Sequence, residues 1–116
     1  MADITIYHNP RCQKSREALA ILNERPRSVE IVEYLKTPLN EKQVRDILDR
    51  LAVPAEELVR KDEAVYKSEY KDKNLSEEEW IRALVRNPIL LQRPIVLKGN
   101  EGVIGRPPEL VRELLD

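Results

Sequence analysis

Apolar and polar residues alternate near the start of the chain, Ile4 and Ile6 against Thr5 and Tyr7, which is the period-two signature of a short strand. Near Gln13-Lys14-Ser15 the period changes. Ala18, Leu19, Ile21 and Leu22 recur at helical spacing until Pro26 stops them, so a helix is predicted there. Val29-Glu30-Ile31-Val32-Glu33-Tyr34 is rich in β-branched residues and predicts a second strand, close enough behind the helix for a βαβ crossover with parallel pairing. After Thr37-Pro38-Leu39, Asn40 is placed to cap a helix with Gln43 at its third position, and Val44, Ile47, Leu48 and Leu51 form one apolar stripe. The stretch from Pro54 to Asn74 is polar and punctuated, with a short helical turn predicted at Glu56-Glu57-Leu58-Val59. Ser76 and Glu79 form a capping box, flanked by Leu75 and Trp80 as a hydrophobic staple. A helix is therefore predicted from Glu77, with Ile81, Leu84 and Val85 as its buried face and Asn87-Pro88 as its end. Ile95-Val96-Leu97, a turn over Lys98-Gly99-Asn100-Glu101-Gly102, and Val103-Ile104 predict an antiparallel hairpin. Pro107-Pro108 suits the start of a last helix with Leu110, Val111, Leu114 and Leu115 on its face.

The order is then βαβ, a helical insertion at about residues 40–87, and ββα. An α/β chain of this order, closing one mixed four-stranded sheet with a cysteine after the first strand, has the layout of a thioredoxin-like fold. A single domain over residues 1–116 is expected, since 116 residues are the size of one core. Two positions agree with the layout. Cys12-Gln13-Lys14-Ser15 lies where that fold carries its redox motif, with serine in the second cysteine's place, and Arg93-Pro94-Ile95 puts a proline where the fold keeps a cis-proline beside the active cysteine.

Charge narrows the classes. With 20 basic and 21 acidic residues the formal net charge is −1, so no overall field recruits nucleic acid or an anionic membrane, and neither is expected as a partner. The sequence has no basic leader followed by an apolar run and no stretch near the roughly 20 apolar residues that span a bilayer. A cytoplasmic monomer is expected. One cysteine forms no internal disulfide and no multi-cysteine zinc site, which fits a reducing compartment; no bound cofactor or metal is expected.

A free cysteine is ordinarily a small buried hydrophobe. Cys12 sits instead at a strand-to-helix junction, where unpaired N–H groups and the positive helix end favour the thiolate. The one histidine, His8, if protonated, and the Ser15 hydroxyl as a donor would add to that. Arg60, Arg93 and Arg106 all fall at segment boundaries. In a thioredoxin-like fold the cis-proline loop lies against the active cysteine, so Arg93 can point into its pocket and the hairpin's end can bring Arg106 there. Guanidinium groups bind a tetrahedral oxyanion bidentately, and several would neutralise a doubly charged one.

The segments His8-Asn9-Pro10-Arg11-Cys12-Gln13-Lys14-Ser15-Arg16, Arg60-Lys61-Asp62-Glu63, Asn87-Pro88-Ile89-Leu90 and Arg93-Pro94-Ile95-Val96 resemble the glutaredoxin-coupled arsenate reductases over essentially the whole chain. Gln13-Lys14 departs from the Gly-Thr of better-known members. The resemblance implies that Cys12 is the nucleophile, that His8 and Ser15 support its thiolate, and that Arg60, Arg93 and Arg106 hold arsenate or a similar oxyanion. It also implies glutathione as co-substrate and glutaredoxin as protein partner. Reducing arsenate takes two electrons, so two thiols must end as a disulfide, and one of them must come from outside. The phosphatase-loop type of arsenate reductase is not matched, because its arginine position six residues after the cysteine is Ala18 here and no resolving cysteine exists. Two other readings keep the fold: a glutathione-dependent thiol oxidoreductase, and a non-enzymatic regulator binding RNA polymerase, although such regulators typically carry a second cysteine at the Ser15 position.

Overall fold

The computed structural model describes residues 3–115. In it the chain divides into two compact units, one made of the residues up to Thr37 together with those from Arg93 on, the other running from Pro38 to Gln92.

In the first unit the strands β1 (Ile4–Tyr7), β2 (Val29–Val32), β3 (Ile95–Lys98) and β4 (Glu101–Ile104) form one sheet in the order β2-β1-β3-β4. β1 runs parallel to β2 and antiparallel to β3, and β3 pairs antiparallel with β4. This mixed sheet is the thioredoxin-like arrangement. Register follows the pleat: Ile6 sits opposite Ile31 on one side and Val96 on the other, and Val96 sits opposite Val103. One sheet face therefore presents Ile4, Ile6 and Val96 to the apolar stripes of α1 (Gln13–Leu22) and α4 (Leu110–Leu115), where Ala18, Ile21, Leu22, Val111 and Leu114 close the core.

The second strand stops at Val32, two residues short of the pattern, because the N–H groups of Lys36 and Thr37 both turn back to the Glu33 carbonyl. The hairpin turn is tighter than its sequence suggests. Lys98 and Glu101 pair across the ladder, which leaves Gly99-Asn100 as a two-residue turn with Gly99 at φ 60°, a conformation that costs glycine nothing. The Arg93–Pro94 peptide is cis as expected, and so is Arg106–Pro107, which the sequence does not announce.

In the second unit both capping boxes form as read. Asn40 and Gln43 exchange side-chain and backbone bonds at the start of α2 (Glu41–Leu51), as do Ser76 and Glu79 at the start of α3 (Glu77–Arg86). The buried face of α3 is Trp80, Ile81, Ala83 and Leu84, one step round from the expected stripe, with Val85 only half-buried. Trp80 is on that buried face: Tyr66 stacks on it with ring centroids 6.3 Å apart, and Tyr70 lies tilted at 6.1 Å. Those tyrosines come from the polar stretch that carried no periodic signal. There the backbone forms a 3-10 turn at Ala55–Leu58, one residue earlier than predicted, and a π-helical turn at Tyr66–Tyr70 closed by the Lys71 N–H on the Tyr66 carbonyl at 2.8 Å. Among the described residues no helix is long and apolar enough to cross a membrane.

The cis-proline loop is clamped by the hairpin's end. The Gly105 N–H donates to the Pro94 carbonyl at 2.8 Å, and a Cβ added at Gly105 would lie 2.9 Å from the Pro94 ring and 3.4 Å from Val111. Gly105→Ala should therefore destabilise the protein by about 1–3 kcal/mol, read from the midpoint of urea unfolding at unchanged slope. An unchanged midpoint would show that the proline loop shifts freely.

Candidate active site

Cys12 is presented by a short loop that its own backbone ties down. At the end of β1 the His8 N–H donates to the Val32 carbonyl at 2.8 Å, which fixes the loop's start beside β2. The buried Asn9 then makes three bonds: its N–H donates to Ser15 Oγ at 3.0 Å, its carbonyl accepts the Cys12 N–H at 2.9 Å, and its Oδ1 accepts the Arg11 N–H at 3.0 Å. Arg16 Nη1 donates to the Pro10 carbonyl at 2.9 Å. The chain thus reaches Cys12 in extended conformation, φ −95° and ψ 123°, as the N-cap of α1.

A thiol in that position meets the open end of the helix. Burial pushes the Cys12 thiol up, but the Ser15 N–H, the Arg93 guanidinium within hydrogen-bonding reach of the sulfur, its positive charge, and the Lys14 N–H together pull it below its ordinary value. The neutral thiol makes no well-formed cap hydrogen bond, so these groups act chiefly on the anion. The first turn of α1 holds no acidic residue to oppose them.

His8 and Ser15 lie beside this centre in roles other than those expected. His8 Nδ1 and Ser15 Oγ are 2.6 Å apart in a buried hydrogen bond whose proton direction follows the imidazole tautomer. Burial holds His8 below its usual pKa, with Arg16 adding to the effect and Glu33 opposing it, so near neutral pH the ring is uncharged. A protonated His8 is therefore not what favours the thiolate, and the Ser15 hydroxyl is bonded to His8 and Asn9; Ser15 acts on the sulfur through its backbone N–H. Asn9 is the residue that sequence reasoning passed over. It lies three residues before Cys12 in a polar, loop-forming run, which was the available signal.

The arginines separate. Arg93 faces Cys12, and two of its guanidinium nitrogens, Nε and Nη1, are buried without a hydrogen-bond partner. A desolvated, unsatisfied cation beside a thiolate is suited to receive an oxyanion. Arg106 is exposed and places Nη1 on the Arg93 carbonyl at 3.0 Å, so it braces the backbone from which Arg93 projects. Arg60 belongs to the second unit, where its N–H bonds the Leu90 carbonyl and its guanidinium pairs with Asp62 at 3.4 Å and Glu63 at 3.2 Å. Among the described residues no group of three or more His, Cys, Asp or Glu side chains is placed to hold a metal ion.

Fold and site together define a thioredoxin-like protein with one cysteine at the N-cap of its first helix. Residues 7–114 match the ArsC family, and the chain belongs to that family. It is 47% identical over 114 residues to the uncharacterized protein YfgD of Escherichia coli, covering 97% of this chain and 96% of that one. It is 40% identical over 117 residues to a Neisseria meningitidis protein described as an arsenate reductase, covering 99% of this chain and all of the other. A solved structure described as an arsenate reductase from Vibrio cholerae superposes with a TM-score of 0.91 at 33% identity over 97% of each chain.

The site's electrostatics set a pH dependence. Alkylation of Cys12 by iodoacetamide should follow the thiolate fraction, rising through a midpoint below that of an ordinary cysteine. In Arg93→Ala, which loses both the hydrogen bond and the charge, the midpoint should move up. A midpoint that Arg93→Ala leaves in place would mean that the helix end alone sets the thiolate.

Proposed function

We propose that this protein is an arsenate reductase in which the Cys12 thiolate takes arsenate and an outside thiol completes the reduction. The observation that carries this reading is the Arg93 guanidinium, buried and short of partners at two nitrogens, beside a cysteine held below its ordinary pKa. Several ArsC relatives, the Neisseria protein among them, are described as arsenate reductases.

In the first step the Cys12 thiolate attacks arsenic and an arsenate OH, taking up a proton from solvent, leaves as water, which forms a sulfur–arsenic(V) ester without redox change. Arg93, braced by Arg106, neutralises the oxyanion and stabilises the charge that gathers on its oxygens. Arg60's part in oxyanion binding rests on the sequence resemblance alone. Glutathione then attacks: its thiolate bonds to Cys12 Sγ, the sulfur–arsenic pair leaves with arsenic as arsenite, and a Cys12–glutathione disulfide remains. Glutaredoxin takes the glutathionyl group and returns Cys12 as the thiol. Two electrons reach arsenic and two thiols become one disulfide, the second thiol being supplied from outside because the chain has one cysteine. A cytoplasmic setting that keeps glutathione reduced suits this cycle, and one chain acting as a monomer is enough for it.

The test is arsenate-dependent NADPH oxidation with glutathione, glutaredoxin and glutathione reductase supplied. Turnover is expected with the native protein and should vanish in Cys12→Ser, whose circular dichroism should remain native. A folded protein with a reactive Cys12 and no arsenate-dependent rate would overturn the reading and leave the glutathione-dependent thiol oxidoreductase in its place.

A further inference from the structure

At the far end of α1 from Cys12 the first unit holds a second group of cations. A cleft of about 220 Å³ lies between the chain leaving α1, which supplies Glu24, Arg25 and Arg27, and α4, which supplies Arg112 and Leu115; Ile21 of α1 lines it as well. The ten residues of α1 set it roughly 15 Å from the thiol along the helix. We infer that this cleft is an anion site, and that its ligand is a phosphate dianion, either free or as a small monoester. Nothing in it draws on the chemistry at Cys12, so the inference stands apart from the arsenate reading.

The pairing of charges in the cleft defines that ligand. Arg112 donates to both Glu24 carboxylate oxygens, at 2.5 and 2.8 Å, so these two groups tie α4 to the end of α1 and cancel each other. Arg25 and Arg27 are left over, and neither makes an ion pair among the described residues. All three guanidiniums converge on one place. The Arg112 hydrogen bonds hold the Glu24 carboxyl below its usual range against the opposing effect of desolvation, and the charges of Arg112, Arg25 and Arg27 add to the pull. The two arginines without ion pairs are not serving as helix caps, because the Leu19 and Ile21 carbonyls already accept the Asn23 and Glu24 N–H groups at 3.0 and 3.2 Å. Pro26 stands between them; its ring fixes one backbone angle and restricts Arg25 too, which limits how far the two side chains can part. Arg27 is the most telling. Its Nε is buried without a hydrogen-bond partner, whereas Nη1 and Nη2 stay open, so the guanidinium is seated in one orientation with its outer pair of nitrogens available. A group held in this way takes a tetrahedral oxyanion through two parallel hydrogen bonds, and Arg25 brings the second charge that a dianion requires. Buried Ile21 and half-buried Leu115 add an apolar patch that the short organic part of a monoester covers, and a space of about 220 Å³ admits little more than that.

The experiment is an amide NMR titration of the full chain with inorganic phosphate and, separately, with glycerol 2-phosphate, each above its second pKa so that the dianion is present. Saturable shifts should appear at residues 21–25, 27 and 110–115. A lower dissociation constant for the ester assigns the cleft to a monoester, and an equal or lower one for inorganic phosphate assigns it to the free ion. Arg25→Gln combined with Arg27→Gln should raise the constant at least about fivefold, the loss expected for two partly exposed charge contacts. Dimethyl phosphate, a monoanion of similar shape, should bind the native protein about threefold or more weakly than phosphate, a comparison that needs no variant. Absence of saturation, or shifts confined to amides around Cys12 and Arg93, would overturn the proposal. So would one dissociation constant for native protein and double variant, or dimethyl phosphate bound as tightly as the dianion.

Discussion

The open N-terminal end of α1, and the loop that brings a sulfur to it, is the constraint around which the first unit is arranged. Helix ends leave N–H groups without partners, and here the residue at the cap is a cysteine rather than a serine or aspartate. A thiol caps poorly and a thiolate caps well, so the backbone's unmet donors become a bias on the protonation state. That bias is useful only where Cys12 cannot drift. Asn9 removes the drift by spending its amide, carbonyl and side chain on Ser15, Cys12 and Arg11. The cis-proline loop closes the arrangement from the other side, with Gly105 on the Pro94 carbonyl and Arg106 on the Arg93 carbonyl.

A second effect follows from burial. Water is kept from two Arg93 nitrogens and from most of His8, and the two respond differently because one can release a proton and the other cannot. Histidine answers desolvation by staying neutral. Arginine stays charged and is left needing an anion. The site is therefore more electropositive at Arg93 than a count of nearby basic residues suggests, and less so at His8.

Sequence legibility divides along the range over which each signal acts. The strands, α1 and both capping boxes were readable because their determinants lie within a few residues: alternation in Ile4–Tyr7, the Asn40–Gln43 and Ser76–Glu79 pairs, the stop at Pro26. The parallel β1–β2 pair and the β3–β4 hairpin followed from element order and connection length, and the order of the strands across the sheet came from the structure. The π-helical turn was hidden because Tyr66 and Tyr70 are fixed by Trp80, a residue ten or more positions away, and not by their own neighbours. At the site, Cys12 and Arg93 were legible through position. The division of labour at Ser15 was not, because a sequence shows which residue is present and leaves open whether its hydroxyl or its amide faces the sulfur.

The sheet register carries a consequence for how the protein comes into being. β1 is central, and its antiparallel neighbour is β3, so Ile4 waits for Lys98 while the capped helices between them are specified locally. Contacts between residues so distant in sequence form late, after the entropy of closing the intervening chain has been met. During synthesis the ribosome has released Cys12 long before it supplies Arg93. Over that interval the thiol lacks the Arg93 guanidinium, one of the groups that draw it below its ordinary pKa. The full bias toward the thiolate thus arrives only with the closing of the sheet, when β3 brings Arg93 to Cys12.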